Sequence, residues 1–321
     1  MTACRPRFAA RHLQAWKMNR AVNRQHVIPA PEFTRTPLFS SDTACIADVR
    51  CRGECRHRSA EEHTAEAQLI FPYHGMFIRH LGSAASVADA NQVLFFGADE
   101  MHQVSHPVTG GDSCIVMTLP ESVLSELAGT DFYDETTRRF RTRERNLEPS
   151  AQALRSVLLR RLLMTDTSST LEAESISLAL ATMAFASLPR TQHRPTLSKR
   201  HLINRVKLFL AESMSKKISL SEIGRKVGAS PVYLTQIFSE LEGVPLYRYH
   251  LRLRLAQSLL RLPEQKDLSA LAQDLGFSSH SQFTTMFGQT FGLAPRAFMQ
   301  QAGREDIREL LKILKAVPTS T

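Results

Sequence analysis

The chain has 321 residues and a formal net charge of +9 at pH 7, so it is long enough for two domains and suited to a polyanionic partner. It contains no run of eighteen apolar residues, so no membrane span is predicted, and the lack of an apolar segment after its basic N-terminus argues against a secretory signal. Its five cysteines are irregularly placed and do not form a disulfide framework. We therefore expect a cytoplasmic protein with free thiols.

The first 34 residues are basic and show little periodicity. Residues 1–31 contain six Lys or Arg and no Asp or Glu, and prolines cluster near Pro29 and Pro31. Such a composition predicts a disordered arm over residues 1–34, or an over-extended start of the reading frame.

Residues 35–119 have the pattern of short strands. Segments rich in Ile, Val and Phe are broken by Gly, Asp and Pro, and they read ACIADVRC, AQLIFPYHGMFIRHLG, NQVLFFGADEMHQVSH and DSCIVMTL. Strands of this length and spacing predict a small β-barrel or sandwich.

Residues 120–188 change to helical periodicity. The segments that follow Pro149 and Leu171 are apolar on more than one face, and each apolar face needs a partner. These helices either cover the barrel or join two copies of the chain, and we favour dimerisation. Residues 189–199 contain two prolines among polar neighbours and predict a linker.

The last third of the chain contains the same helix-turn-helix pattern twice. In the second copy, KDLSALAQDLGFSSHSQFTTMFGQTFGLAPRAF, an apolar-periodic helix ends at Gly276, and Ser278 or Ser279 caps the next helix. In the first copy, ISLSEIGRKVGASPVYLTQIFSELEG, Gly228 occupies the place of Gly276 and Ser230 is the cap. A tandem of two units predicts DNA binding far more specifically than one unit does.

Two further helices are predicted around this tandem. A connecting helix runs from Pro245 through Leu262, with a proline at its start and Pro263 just past its end. A short amphipathic tail helix is expected within residues 301–321, packed on the domain rather than anchored in a membrane.

The run GFSSHSQFTTMFGQTFGLAPRAF resembles the signature of the AraC/XylS family of transcription regulators, and residues 200–300 resemble the whole of that family's DNA-binding domain. The resemblance implies two helix-turn-helix units held on one connecting helix. It also implies that residues 35–188 form a cupin-like sensor barrel with dimerisation helices. The expected fold class is α+β, with an all-α C-terminal domain.

The resemblance implies two sets of DNA contacts. The base-contacting residues would lie on the second helix of each unit, where amide, hydroxyl and imidazole groups can bond base edges and methyl groups can touch thymine; they are Val232, Thr235, Gln236, His280, Ser281, Thr284 and Thr285. The phosphate-contacting residues would be basic side chains and helix caps, namely Lys199, Arg200, Arg225, Lys226, Ser230, Arg248, Arg252, Ser279 and Arg296, with Arg254 as a further candidate. The alternative for some of the basic side chains is an ion pair within the fold.

This chain departs from the family at the second helix of each unit, which we call the reading helix. Family members commonly carry Arg near the positions of Gln236 and Thr285 and a basic residue near Gly288, whereas Glu240 and Glu242 follow the first reading helix here. Base specificity and affinity are therefore not transferred.

Cys51, Cys55 and His57 form a C-x(3)-C-x-H motif, and Cys45 and Cys114 could approach it in a barrel. A zinc site or a thiol-reactive sensor is one interpretation. Small buried thiols are the other, which we favour because the spacing is not C-x(2)-C and no second pair follows.

The remaining His and acidic side chains could suggest a cupin enzyme, since two His and a carboxylate can hold iron; they are Glu61, Glu62, His63, His74, His80, His102 and His106. They lack the tight HxH–E spacing of catalytic cupins. We expect no enzyme activity, no catalytic residue, no cofactor and no resident metal.

The sequence therefore predicts a sequence-specific DNA-binding transcription regulator that responds to a small-molecule effector and binds double-stranded DNA as a homodimer. The family resemblance adds RNA polymerase as a partner and favours activation over repression. The residues that bind the effector remain unassigned. A thiol or metal sensor that uses Cys51, Cys55 or Cys114, an enzyme fused to a DNA-binding module, an architectural DNA-binding protein and a minor-groove role for residues 1–34 are the alternatives.

Overall fold

The computed structural model describes residues 33–52, 57–164, 170–186, 196–304 and 307–316. The predicted basic arm lies outside the described residues except for its last two positions, as do Cys55 and most of the predicted linker. Within the described ranges, no helix is both long enough and apolar enough to cross a bilayer.

Three antiparallel sheets form the N-terminal region. A six-stranded sheet has the order β1-β2-β8-β3-β6-β11, a three-stranded sheet has the order β5-β4-β7, and β9 pairs with β10. The strands are β1 (Phe33–Ser40), β2 (Cys45–Cys51), β3 (Gln68–His74), β4 (Phe77–Leu81), β5 (Ala84–Ala88), β6 (Gln92–Phe96), β7 (Gln103–Ser105), β8 (Asp112–Thr118), β9 (Tyr133–Asp134), β10 (Arg139–Phe140) and β11 (Glu144–Asn146).

Strands β3, β6 and β8 of the six-stranded sheet are buried on both faces. Side chains alternate along a strand, so Leu69 and Phe71 of β3 face the helices, whereas Ile70 faces the three-stranded sheet. The space between the two sheets is filled by apolar side chains, including Phe77, Leu94 and Val116. The predicted sheet-rich region followed by a helical domain is confirmed.

Helices make up the rest of the described chain. They are α1 (Glu121–Ala128), α2 (Pro149–Met164), α3 (Thr170–Phe185), α4 (Leu197–Glu212), α5 (Leu220–Val227), α6 (Pro231–Glu242), α7 (Leu246–Arg261), α8 (Leu268–Asp274), α9 (His280–Phe291), α10 (Pro295–Ala302) and α11 (Arg308–Ala316). A 3-10 turn, Leu262–Glu264, follows α7.

Helix α2 lies at the centre of the molecule. Every residue from Ala151 to Leu159 is buried, because α2 packs against α3, α7, α9, α11 and β1. Arg155 donates to the carbonyl oxygens of Pro72 and Ala90 and so fastens α2 to the barrel. The apolar faces of α2 that suggested a second copy of the chain are therefore covered by the chain's own C-terminal helices.

Several strands differ from the sequence-based prediction. Strand β1 is largely exposed and carries Thr, Arg and Pro, and it is held at the sheet edge by its pairing with β2. Strand β5 is made of small residues. The stretch 120–188 is not wholly helical, since β9, β10 and β11 lie between α1 and α2. Strands β1, β5, β9 and β10 are held by pairing with a neighbouring strand in the chain, and β11 by pairing with β6 about fifty residues earlier, rather than by a local apolar pattern.

His250 of α7 gives the fold a pH dependence. Burial and the nearby Arg254 guanidinium lower its pKa to about 4, against 6.5 for an ordinary histidine. The unfolded chain therefore takes up this proton first as pH falls, and the stability present above about pH 6.5 is lost between about pH 6.5 and 4. We expect this residue to remove about 2 kcal/mol of unfolding free energy between pH 7 and 5.

The measurement is the pH dependence of thermal unfolding in His250→Gln, with His201→Gln as the control because His201 is exposed on α4. Removing His250 should flatten the acid side of the stability profile relative to the wild type and to the control. Parallel profiles for all three proteins would contradict the assignment.

Candidate nucleic-acid interface

The first helix-turn-helix unit is formed by α5 and α6, and each of these helices begins at a serine N-cap. Ser219 and Glu222 form a capping box at the start of α5. Gly228 ends α5 in the left-handed conformation, with φ of 70°. The Ser230 hydroxyl then accepts a hydrogen bond from the Tyr233 amide at 3.2 Å and caps α6, with Pro231 at its first position.

The second unit repeats this design with α8 and α9. Asp267 caps α8 through the amides of Ser269 and Ala270. Ser279 is the cap of α9 and accepts from the Gln282 amide at 3.1 Å. The alternative cap, Ser278, instead donates its amide and hydroxyl to the Gln282 side chain.

Small residues let the two helices of each unit cross closely. At Gly224 of α5, an added Cβ would lie 2.5 Å from the Ala229 carbonyl oxygen in the turn. Ala272 of α8 occupies the equivalent place and is fully buried. The separation of the helices in each unit therefore depends on the absence of a larger side chain.

Helix α7 joins the two units, and its two halves belong to different cores. Its N-terminal half contributes Tyr249 and Leu253 to the core of the first unit. Its C-terminal half contributes Leu255 and Leu259 to a core shared with the second unit and with α2. The range 246–261, preceded by Pro245, agrees with the predicted connecting helix.

Each reading helix buries an apolar stripe on one side and exposes polar side chains on the other. On α6, the stripe is Leu234, Ile237 and Phe238, and the predicted base contacts Val232, Thr235 and Gln236 are all exposed. Thr235 also donates its hydroxyl to the Pro231 carbonyl at 2.9 Å.

On α9, the stripe is Phe283, Phe287 and Phe291. His280, Ser281 and Thr285 are exposed, while Thr284 is half-buried with its hydroxyl 3.3 Å from His280 Nε2. The structure therefore places both sets of predicted base contacts on the solvent sides of α6 and α9.

Some of the predicted phosphate contacts are exposed, and others are bonded to groups within the protein. Arg225, Lys226 and Arg296 are exposed, as are the caps Ser230 and Ser279. Lys199 forms an ion pair with Glu240 at 3.2 Å, and Arg200 lies 3.9 Å from Glu144. Arg248 is half-buried beside the Tyr247 hydroxyl, and Arg254 donates to the Leu275 carbonyl.

Arg252 is a correction to the predicted set. Its side chain is only 8% exposed and lies 3.5 Å from the Glu148 carboxylate, which precedes α2. A buried, paired guanidinium cannot reach a phosphate in this arrangement. Arg252 instead joins the N-terminal region to α7.

The acidic residues after the first reading helix are also paired within the fold. Glu242 is buried and lies 2.7 Å from the Lys207 ammonium, while Glu240 pairs with Lys199. Burial lowers the pKa of Lys207, but the carboxylates of Glu242 and Asp89 outweigh it and raise the pKa, so the ammonium stays charged. Because each carboxylate is paired with a lysine, these acids repel a DNA backbone less than their sequence positions suggest.

Tyr233 is a further exposed side chain on this helix that the predicted set of base contacts does not include. Its side chain is 43% exposed between Val232 and Thr235. It directly precedes the buried Leu234, and the helical pattern of the sequence alone did not single it out.

Of the predicted thiol and histidine groups, the structure fixes the relative positions of Cys45 and Cys114. Cys45 pairs with Thr118 and Cys114 pairs with Val49 on β8 and β2, so these two thiols lie four residues apart in register. His57 is exposed and Cys55 lies outside the described residues.

Within the part of the chain that the structure describes, no three of the seven candidate iron ligands come together as a group able to hold a metal ion. Glu62 and His102 form an isolated backbone bridge, and His80 bonds Ser105 at 2.9 Å. Among the described residues, the group able to hold a metal ion is instead Cys51, His106 and Asp112.

Comparisons with known proteins match the last third of the chain. The helix-turn-helix domain family matches residues 223–301. Over 91 residues the chain is 31% identical to the probable transcriptional regulator LumQ of Photobacterium leiognathi, covering 28% of this chain and 37% of that protein. Over 94 residues it is 27% identical to the regulatory protein PocR of Salmonella typhimurium, covering 29% and 31%.

Two solved structures are also similar. ToxT from Vibrio cholerae aligns with 81% of this chain and 98% of its own, at 13% identity and a TM-score of 0.35. A regulator from Chromobacterium violaceum with an AraC-type DNA-binding domain aligns with 33% of this chain and 96% of its own, at 27% identity and a TM-score of 0.30.

The matched residues and the two capped units define a tandem helix-turn-helix DNA-binding domain. The resemblance to the AraC/XylS family is confirmed for this domain, whose relatives are transcription regulators. The chain spans about a third of the length of these curated relatives.

Gly224 provides a test of the helix crossing. In Gly224→Ala, the new methyl group would meet the turn at 2.5 Å, whereas in Gly288→Ala of α9 the nearest atom is 4.0 Å away. Alanine is intrinsically better than glycine in a helix by about 1 kcal/mol, but overpacking costs about 1–3 kcal/mol. We expect Gly224→Ala to lower the free energy of unfolding and Gly288→Ala to leave it unchanged or raise it.

Urea unfolding followed by circular dichroism measures both variants. Equal midpoints for Gly224→Ala and Gly288→Ala would show that the close crossing does not constrain the first unit.

Proposed function

We propose that this protein is a sequence-specific transcription regulator whose C-terminal domain reads two adjacent major-groove segments per monomer. The observation that supports this most strongly is the pair of capped, solvent-facing helices on one shared helix. Two reading helices fixed in this way suit successive grooves on one face of DNA, about 34 Å apart. Where the spacing of the units differs from the DNA repeat, binding would bend the duplex.

The two kinds of contact would have different roles. Exposed Gln236 and His280 offer hydrogen bonds to base edges, and such contacts carry sequence discrimination. Arg225 and Lys226, at the end of α5, and Arg296, near the start of α10, carry charge that attracts any DNA backbone. The helix N-termini capped by Ser230 and Ser279 add amide groups suited to phosphate.

Regulation by an effector would act through the contact between the two regions. Tyr249 of α7 donates its hydroxyl to Asp89 at 2.6 Å, and its carbonyl accepts from the Asn91 side chain at 2.9 Å. Asn204 of α4 donates to the Ala85 carbonyl at 2.9 Å. An effector that binds the barrel differently in two arrangements would shift the DNA-binding region through these contacts.

The proposal extends to partners and location. The protein would act in the cytoplasm, more as an activator than as a repressor, with RNA polymerase as a partner and without a catalytic role. A homodimer would use the end of α2 and the start of α3, where Leu163, Met164 and Leu171 are exposed. The effector would be a small molecule bound by the N-terminal region.

The function is tested by selecting bound oligonucleotides with the purified full-length protein and then measuring two variants on the selected site and its point mutants. Gln236→Ala should weaken binding at particular base pairs, costing about 1–3 kcal/mol there. Arg225→Ala should weaken binding similarly on every sequence and reduce the salt dependence.

A transcript comparison with and without the gene identifies which selected sites act in the cell. Selection that returns no common sequence would favour an architectural DNA-binding protein. Equal losses for both variants on all sites would refute the division between base and phosphate contacts.

The contact between regions is tested by Tyr249→Phe, with Tyr73→Phe as the control because the Tyr73 hydroxyl also donates to a buried carboxylate, that of Asp48 at 2.6 Å, but within the N-terminal region. Removing the Tyr249 hydroxyl leaves the buried Asp89 carboxylate without one of its donors, which should cost about 1–3 kcal/mol of stability. We expect Tyr249→Phe to weaken DNA binding as well, since the barrel then holds α7 less firmly. DNA dissociation constants equal to those of the control would contradict this coupling.

A further inference from the structure

The N-terminal region contains a second candidate site that the DNA-binding function does not use. Cys51, His106 and Asp112 each offer one ligand atom, and these atoms lie within 4.8 Å of one another. His106 and Asp112 belong to the segment SHPVTGGDSC, residues 105–114. The structure brings both to Cys51, which lies about sixty residues earlier in the chain.

The backbone builds this cluster from the ends of three strands. Cys51 ends β2 and pairs directly with Asp112, which begins β8, and His106 follows β7. Gly111 has φ of 74°, and an added Cβ would collide with the Cys51 carbonyl oxygen. The glycine therefore allows the loop before β8 to press against the end of β2 and fixes Asp112 beside Cys51.

The three side chains are largely buried but keep some exposure to solvent. Cys51 is 5% exposed, and the side chains of His106 and Asp112 are 14% and 7% exposed, with His106 Nδ1 hydrogen-bonded to Asp112 Oδ2. Residues on strand ends have defined positions, unlike an exposed acidic cluster. A small ion could reach the group from the His106 side.

The chemistry of the donors matches zinc. Thiolate sulfur, imidazole nitrogen and carboxylate oxygen are its three usual protein ligands, and three of them leave a fourth tetrahedral position open. Thiolate and carboxylate together carry two negative charges, which a divalent cation neutralises, so burial of the loaded group leaves no excess charge. Tetrahedral coordination places such donors roughly 3.3–3.6 Å apart, so the hydrogen bond between His106 and Asp112 would open to admit the ion.

We infer that Cys51, His106 and Asp112 form a binding site for Zn²⁺ at the end of the β-barrel. The ion replaces the thiol proton of Cys51 and the proton shared by His106 and Asp112, and it joins β2, β8 and the segment after β7. The site takes Cys51 from the C-x(3)-C-x-H motif and His106 from the predicted histidine set, and it adds Asp112, which belongs to neither. It stands apart from DNA binding, so either conclusion can fail without the other.

The test uses the full-length protein, freed of metal by a chelator and titrated with Co²⁺ as a spectroscopic substitute for Zn²⁺. We expect one equivalent of Co²⁺ to produce a thiolate-to-cobalt charge-transfer band that Zn²⁺ abolishes. Cys51→Ser should lose the band. Cys45→Ser should keep it, because Cys45 lies on the same strand with its sulfur beside the Ser40 hydroxyl at 3.4 Å. His106→Gln and Asp112→Asn should each lower Zn²⁺ affinity at least about tenfold.

A wild-type measurement guards against variants that fail to fold. Zn²⁺ should slow alkylation of Cys51 by iodoacetamide, measured by mass spectrometry, while leaving Cys45 unprotected. Absence of both the Co²⁺ band and this protection in the wild type would overturn the inference, and so would an unchanged band in folded Cys51→Ser. DNA affinity measured on the same samples keeps the outcome separate from the proposed regulator function.

Discussion

The packing of α7 against two different cores is the constraint on which the rest of the structure depends. A helix of 16 residues is about 24 Å long, so its two ends can serve two separate units while remaining one rigid element. Tyr249 and Leu253 pack in the core of the first unit, and Leu255 and Leu259 pack in the core that includes the second. Because each buried apolar side chain contributes about 1.5–3 kcal/mol, neither unit can shift along α7 without exposing part of its core.

The N-terminal region takes part in the same constraint. Helix α2 packs on α7 and also on α9 and α11, so the barrel is attached to the helix that sets the spacing of the units. Arg252, expected at the DNA backbone, serves this attachment through Glu148. A change in the barrel that moves α2 would reach α9 directly and α6 by way of α7, through packed side chains. In the proposed function, this path is the physical link between an effector and DNA.

Features with local signals were predictable from sequence, and features that depend on distant partners were not. The caps Ser230 and Ser279, the turn at Gly228 and the course of α7 follow from the residue types at those positions. Strand β11 has no apolar alternation and exists because it pairs with β6, about fifty residues earlier in the chain. The pairing of Arg252 with Glu148 joins residues about a hundred positions apart. Cys51 was singled out together with Cys55, but its partners His106 and Asp112 came to it through strand register.

The central claim is that one monomer grips two neighbouring grooves through α6 and α9. Methylation-protection footprinting of the full-length protein on a selected site tests this most directly. The account predicts two clusters of protected major-groove positions about one helical turn apart on the same face of the duplex. A single protected cluster per monomer, or two clusters on opposite faces, would contradict it.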